Sequence, residues 1–169
     1  DRLLSRGLGD VYKRQTYKLL ELEEKHRFLR AGKVVLDLGA APGGWSQVAA
    51  KKVGSKGTVL ALDRLAMDPI EGVTILEVDF EMEEGYAALR AALPEAGADV
   101  VLSDMAPNLS GIHAADQDRA IALAELALDL AAQVLVPSGV LVVKLFQGSG
   151  FDPWLAEARK LFTRVTVRK

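Results

Sequence analysis

Four acids and a lysine stand at or near the ends of apolar runs in this chain. They are Asp37 in "VVLDLG", Asp63 in "TVLALD", Asp79 in "TILEVDF", Asp104 in "VVLSD" and Lys144 in "GVLVVK". Carboxylates so placed can accept hydrogen bonds from hydroxyl or amino groups, and a lysine can hold, give or take a proton. Lysine is rarely fully buried without a partner. Lys144, closing the run Val140 to Val143, therefore either reaches out of the fold or is wanted there for its ammonium. Beside Asp37 runs "LDLGAAPGGW" (36–45). A strand, then glycines, then a helix lets backbone approach a ligand closely, with helix amides free for its polar groups. The glycines are Gly39, Gly43 and Gly44, with a proline among them, and not the G-x-G-x-x-G that cradles a pyrophosphate. An acid ending the next strand, Asp63, is the usual acceptor for ribose hydroxyls, and Asp79 after the third suits an adenine amino group. Together they point to an adenosine-bearing ligand lacking a pyrophosphate, such as S-adenosylmethionine. The plainer reading of each feature alone is a tight turn with acids solvated at strand ends. The same choice holds for "SDMAPNLSG" (103–111), a rigid polar turn with or without chemistry.

The elements that must position these residues alternate in type. Short β-rich runs cover 33–39, 57–63, 72–80, 98–104 and 140–143, and helical stretches cover 45–53, 81–93, 116–136 and 152–161. Strands and helical stretches alternate except between 57–63 and 72–80, so the fold class is α/β: a Rossmann-like, mostly parallel sheet with helices on both faces. Ligands of such sheets bind beyond the carboxyl ends of the strands, where all five residues fall. A further strand is expected in "FTRVTVR" near the end. Residues 16–169 form the expected single domain. Residues 1–15, "DRLLSRGLGDVYKRQ", show weak periodicity and are expected to be a loose or foreign segment ahead of it.

With 169 residues, half of them hydrophobic, the chain can bury one sizeable core. Net charge is −2, which gives no global signal for nucleic acid; any such contact needs a local patch. Cysteine is absent, which excludes thiolate chemistry and disulfides and is compatible with the cytoplasm. No apolar run approaches a membrane span. His26 and His113 are isolated from one another, and no metal site is expected. Trp154 and Phe151 are expected to anchor the last helix in the core.

"VVLDLGAAPGGWSQVA", "ALDRLAMDPI", "VVLSDMAPNLSG" and "VVKLFQGSGFD", in unbroken order, resemble the FtsJ-type ribosomal RNA large-subunit methyltransferases. The resemblance runs from about Thr16 to Lys169. It implies S-adenosylmethionine as cofactor and, as reaction, 2′-O-methylation of a uridine ribose in 23S rRNA of the large ribosomal subunit. It also implies a cytoplasmic protein, expected to be a monomer. Carried over residue by residue, it places Gly43 and Trp45 in the cofactor loop, with Gly39 and Gly44 beside them. Asp63 and Asp79 become cofactor acids, and Asp104 belongs to both cofactor pocket and catalytic group. The family's catalytic Lys–Asp–Lys–Glu set matches Lys18, Asp104 and Lys144. Its glutamate lies on a strand beyond Lys169, so a truncated chain lacking its last antiparallel strand is expected. Its basic lead-in is replaced here by Arg14-Gln15-Thr16. On its own, Lys18 reads as a solvated helix-face lysine.

Other readings stay open at this point. One is a 2′-O-methyltransferase for tRNA or another RNA; one is a cofactor-binding fragment inactive for want of the glutamate. A nicotinamide oxidoreductase is disfavoured by the missing G-x-G-x-x-G. Arg159, Lys160, Arg164, Arg168 and Lys169, with Lys25, Arg27, Arg30 and Lys33, are the basic residues available for RNA, although such clusters are commonly just solvated.

Overall fold

A computed structural model describes residues 2–105 and 112–168, and of the side chains in the first helix those from Lys13 onward except Gln15. Five strands, β1 (Val34–Leu38), β2 (Thr58–Asp63), β3 (Val73–Glu77), β4 (Ala98–Ser103) and β5 (Leu135–Val143), form one sheet in the order β3-β2-β1-β4-β5. Every pairing is parallel. The helices are α1 (Arg2–His26), α2 (Gly44–Val53), α3 (Glu83–Ala92), α4 (His113–Val134) and α5 (Phe151–Leu161).

The central strands read as continuous apolar runs because both their faces are covered. Side chains alternate across a strand, and the two cores divide accordingly. Leu36, Leu38, Leu60, Leu62 and Val101 meet Leu89 of α3 and Ala127 and Leu130 of α4. Val35, Val59, Val100 and Leu102 meet Leu19 of α1 and Val48, Ala49 and Val53 of α2. Asp37 shares the period-two face of Val35, which aims its carboxyl at α2.

Some expectations change. The "FTRVTVR" stretch pairs with no strand; 162–168 run irregularly, with Phe162, Thr163 and Arg164 lining a cavity beside β5. A strand is defined by its ladder, and β5 is the last strand in the sheet order. Second, the helix expected over 116–136 stops at Val134, and Leu135, Val136 and the "PSG" after them belong to β5 instead. A register shift between Ala98 and Val100 absorbs those extra residues. The segment expected to be loose, 1–15, lies within α1 from Arg2 onward, as helix propagation adds a hydrogen bond for each residue fixed. Trp154 and Phe151, expected in the core, are half-buried on α5, and the Trp154 indole N–H has no acceptor among the described residues.

Candidate active site

The sheet order turns at β1 and β4. From β1 the chain proceeds outward to β2 and β3, and from β4 to β5. From β1 the chain passes to α2 on one face of the sheet and from β4 to α4 on the other, and the carboxyl ends at such a switch point are the usual ligand site of doubly wound sheets.

The β1–α2 loop is shaped by its glycines. Gly39 has φ of 65° and Gly43 φ of 113°, a region that costs any L side chain strain. Neighbours crowd both positions: a Cβ on Gly39 would stand 2.5 Å from Met105 Cγ, and one on Gly43 would press on the flexible end of the Ile70 side chain. Gly44 opens α2, and Gly43 at its N-cap offers no side-chain cap. The loop is fastened from β2, since Ala40 N–H donates to Leu62 O (3.0 Å) and Ala41 N–H to Asp63 Oδ2 (2.9 Å). Asp63 Oδ1 accepts from Leu65 N–H at 2.8 Å. Each carboxylate oxygen has two lone-pair sites, so Asp63 holds the loop and keeps acceptor capacity for a ligand hydroxyl. Asp79 Oδ1 accepts from Glu81 N–H (3.0 Å), shaping the turn into α3. Gly85 lies so close to the Asp79 carbonyl that a side chain there would displace it. Trp45 is buried against Val35 and Val48, and still borders the small cavity it shares with Asp37, Gly39, Ala40, Ala41, Gly44 and Asp104.

Asp37 is a site residue that sequence reasoning placed at the ligand end of the sheet and gave no role. It is 1% exposed, accepts a hydrogen bond from Ser46 Oγ (2.7 Å), and lines that cavity. Burial pushes its carboxyl up from the ordinary 3.8 to about 7, against the pull of the Ser46 bond, with the negative fields of Asp104 and Asp63 adding to the rise. The available signal was Ser46 itself, placed on the first turn of α2 and facing back toward β1.

Lys144 and Asp104 come together through strand register. Ser103 is the Cα partner of Val143, and Lys144 N–H donates to Ser103 O at 2.9 Å. Residues forty apart in the chain are thereby neighbours, and Lys144 Nζ stands 3.7 Å from Asp104 Oδ1. Side-chain exposures of 41% and 15% make the pair half open to water. Burial raises the Asp104 carboxyl, while the ammonium beside it draws it back down. The Phe146 ring lies under Lys144 Nζ, 5.8 Å from its centroid, and is 73% exposed. The lysine both reaches outward and meets an acid, so the two readings of its place in the sequence are joined.

Lys18 is exposed on α1 and does not line the small cavity. Residues 106–111, which carry most of the "APNLSG" turn, lie outside the described residues. His113 opens α4 and His26 closes α1, both exposed, and no metal-binding cluster exists among the described residues. No helix among the described residues is long and apolar enough to cross a membrane. A larger cavity of about 700 Å³ opens between β5, the end of α1 and 161–168. It contains none of the candidate residues, so chemistry and not volume identifies the site.

Comparison with known proteins agrees with this geometry. Residues 11–169 match the FtsJ-like methyltransferase family model. The chain is 52% identical over 156 residues to ribosomal RNA large subunit methyltransferase E of Pseudomonas paraeruginosa, covering 92% of this chain and 75% of that protein. It is 50% identical over 170 residues to the protein of that name from Marinobacter nauticus, covering 100% and 82%. Among solved structures, a Plasmodium falciparum protein assigned as a ribosomal RNA methyltransferase superposes with a TM-score of 0.84 at 27% identity, over 92% of this chain and 90% of that one. The chain belongs to the FtsJ-like methyltransferase family.

Proposed function

We propose that this protein moves the methyl group of S-adenosylmethionine to a ribose 2′-hydroxyl of a uridine in large-subunit (23S) ribosomal RNA, working in the cytoplasm as a monomer. The observation that carries the reading is the pairing of Lys144 with Asp104 at the sheet's turning point, beside a loop whose Gly39 and Gly43 hold backbone conformations that disfavour any side chain. The cofactor fits the residues present. Gly39, Gly44, Trp45 and Asp104 border one small hollow, Gly43 turns the loop beside it, and Asp63 and Asp79, outside its lining, offer acceptors for ribose and adenine. When bound, it supplies an electrophilic methyl group on a sulfonium.

The chain's own residues address the other reactant. A ribose hydroxyl is a weak nucleophile at neutral pH and must be aligned in line with the methyl group, and positioning alone supplies much of such a rate. Lys144 orients the hydroxyl from the open side of the pair. Asp104 holds Nζ, and a carboxylate raised by burial is a better proton acceptor than a free one. The hydroxyl's proton passes to this pair. Lys18 assists from α1, holding the hydroxyl or an adjoining phosphate.

The test joins calorimetric binding of S-adenosylmethionine to transfer of its labelled methyl group onto undermethylated large subunits. Binding with transfer that vanishes in Lys144→Ala is expected. A folded protein that does neither sinks the reading, and transfer to tRNA in preference to large subunits replaces its substrate.

A further inference from the structure

The opposite pole of the sheet, at the amino ends of the strands, is basic in a way the chain's net charge of −2 conceals. Two segments far apart in sequence meet there. Gly32 N–H donates to Val53 O (2.9 Å), Thr58 N–H to Lys33 O (3.0 Å), and Gly57 N–H to Gly54 O (3.0 Å). These bonds set the loop leaving α1 against the loop leaving α2. They gather Lys25, Arg27, Arg30, Lys51, Lys52 and Lys56, all exposed. Among the described residues none of these six is in an ion pair, whereas nearby Lys33 is held by Asp99 at 3.8 Å. Glu24 and Glu71 are exposed acids of the neighbouring segments, and neither pairs with any of the six.

Helix ends explain part of this charge, since cations suit the negative end of a helix dipole. Lys25 closes α1, and Lys51 and Lys52 close α2. Arg27, Arg30 and Lys56 lie beyond those helices, and the dipole gives no reason for them. The pole also continues along α1 toward Lys18, one of the candidate residues. Lys18 and Lys25 are seven residues apart on α1, on one helix face and about 10 Å from each other along its axis. Glu21 is the acid between them on that face. The five-residue β1 sets the pole roughly 16 Å from the strand ends where Lys144 stands.

Arg30 Nε donates to the Arg27 carbonyl at 3.1 Å, which holds its guanidinium over this loop. Exposed cations outside ion pairs, gathered on adjoining loops and helix ends, match the sugar–phosphate backbone of RNA, which binds through charge without reading bases. We infer that the Lys25–Arg30 and Lys51–Lys56 pole is a second RNA-phosphate contact, gripping a stretch of ribosomal RNA away from the nucleotide being methylated. The inference rests on RNA being the substrate class of the proposed function. It adds a surface outside the reaction centre, one that holds the substrate without touching the reacting atoms.

The experiment compares Lys51→Gln/Lys52→Gln with a control of equal charge change on the other helical layer, Arg90→Gln/Lys160→Gln. Both variants and the unaltered protein are titrated with unmodified large-subunit rRNA transcript across a salt series, and assayed for methyl transfer to undermethylated large subunits. For the pole variant, RNA affinity is expected to fall about 10-fold and the log–log salt slope by about 1.4, two phosphate contacts at roughly 0.7 each. KM for subunits rises while kcat and cofactor affinity stay as in the unaltered protein, and Tm falls only by what two helix-end cations contribute. The control changes little. Equal effects from the two variants, or none from the pole variant, overturn the second contact while leaving the methylation reading intact. Loss of RNA binding in the pole variant of a protein that transfers no methyl group keeps the contact and sinks that reading. A defect on assembled subunits with normal affinity for the transcript assigns the pole to an acidic protein surface, and so overturns it as an RNA contact.

Discussion

Around the crevice, the β1–β2 side and the β4–β5 side hold their polar groups to different degrees. Asp37 is sealed beneath α2 with Ser46 bonded to it, and Asp63 has both oxygens engaged by amides of Ala41 and Leu65. Lys144 has one ion pair at 3.7 Å, an aromatic ring beside it, and much of its length in water. The strands repeat the contrast: the β1 residues from Val35 to Leu38 are buried, while those of β5 are half-buried or exposed. A small flexible ligand needs a site organised in advance, because ordering it costs affinity. A large RNA brings its own rigidity and needs access. The two sides accordingly suit the two reactants of one transfer.

The comparison breaks most visibly at Lys144. Lys144→Ala is expected to lower the single-turnover methyl-transfer rate by about 10²–10⁴-fold, the usual worth of a positioned acid or base. Calorimetry should find cofactor affinity nearly unchanged, because Lys144 lies on the other side; a matching loss of affinity would merge the two sides into one.

Asp37 probes the sealed side through pH. Its carboxyl keeps a proton up to about 7 in the folded protein and loses it near 3.8 once unfolded. Between those values the folded state binds more protons, so this residue's contribution to stability declines as pH rises from about 4 to about 7. The full change is roughly 4 kcal/mol. Asp37→Asn removes it. Urea unfolding should find the variant less pH-dependent, with its advantage over the unaltered protein largest at pH 8 and gone by pH 4. Parallel pH profiles for the two proteins would show Asp37 to be charged throughout.

Gly43→Ala forces a side chain into φ of 113° and against Ile70. Strain of about 1–3 kcal/mol should appear as weaker cofactor binding, with the rate at saturating cofactor preserved because Lys144 and Asp104 are untouched. A lost rate with intact binding would mean the loop serves the reaction more than the ligand. The smallest effect belongs to Phe146→Ala, which removes an exposed cation–π contact worth about 0.5–1 kcal/mol. It should loosen Lys144, with a rate change of a few-fold and no change in Tm.

Much of this was legible in the chain. Strand ends at Asp37, Asp63 and Asp104, and the helix after Gly43–Gly44, follow from runs of apolar residues ended by turn formers, which are local signals. The burial of Asp37 was not legible, because it depends on Ser46 and α2 closing over a carboxyl that reads like its solvated neighbours. Nor was the loss of ladder in 162–168, since strand propensity in "TRVTV" is expressed only against a partner. The extension of β5 back to Leu135 had the same cause: "VPSG" breaks a helix locally, and pairing with β4 decided what it became.

The sequence by itself determined the α/β class, the order of elements, the glycine loop's shape and the delivery of acids and a lysine to one edge. Those depend on periods of two and 3.6 residues and on φ values few residues tolerate, all short-range properties. Tertiary structure alone decided that β4 lies between β1 and β5, that Ser103 aligns with Val143 and so brings Lys144 to Asp104, and that Lys51 and Lys52 join Arg27 and Arg30. Each of these depends on register and packing between segments tens of residues apart, and the protonation of Asp37 depends on atoms that only the folded chain places around it.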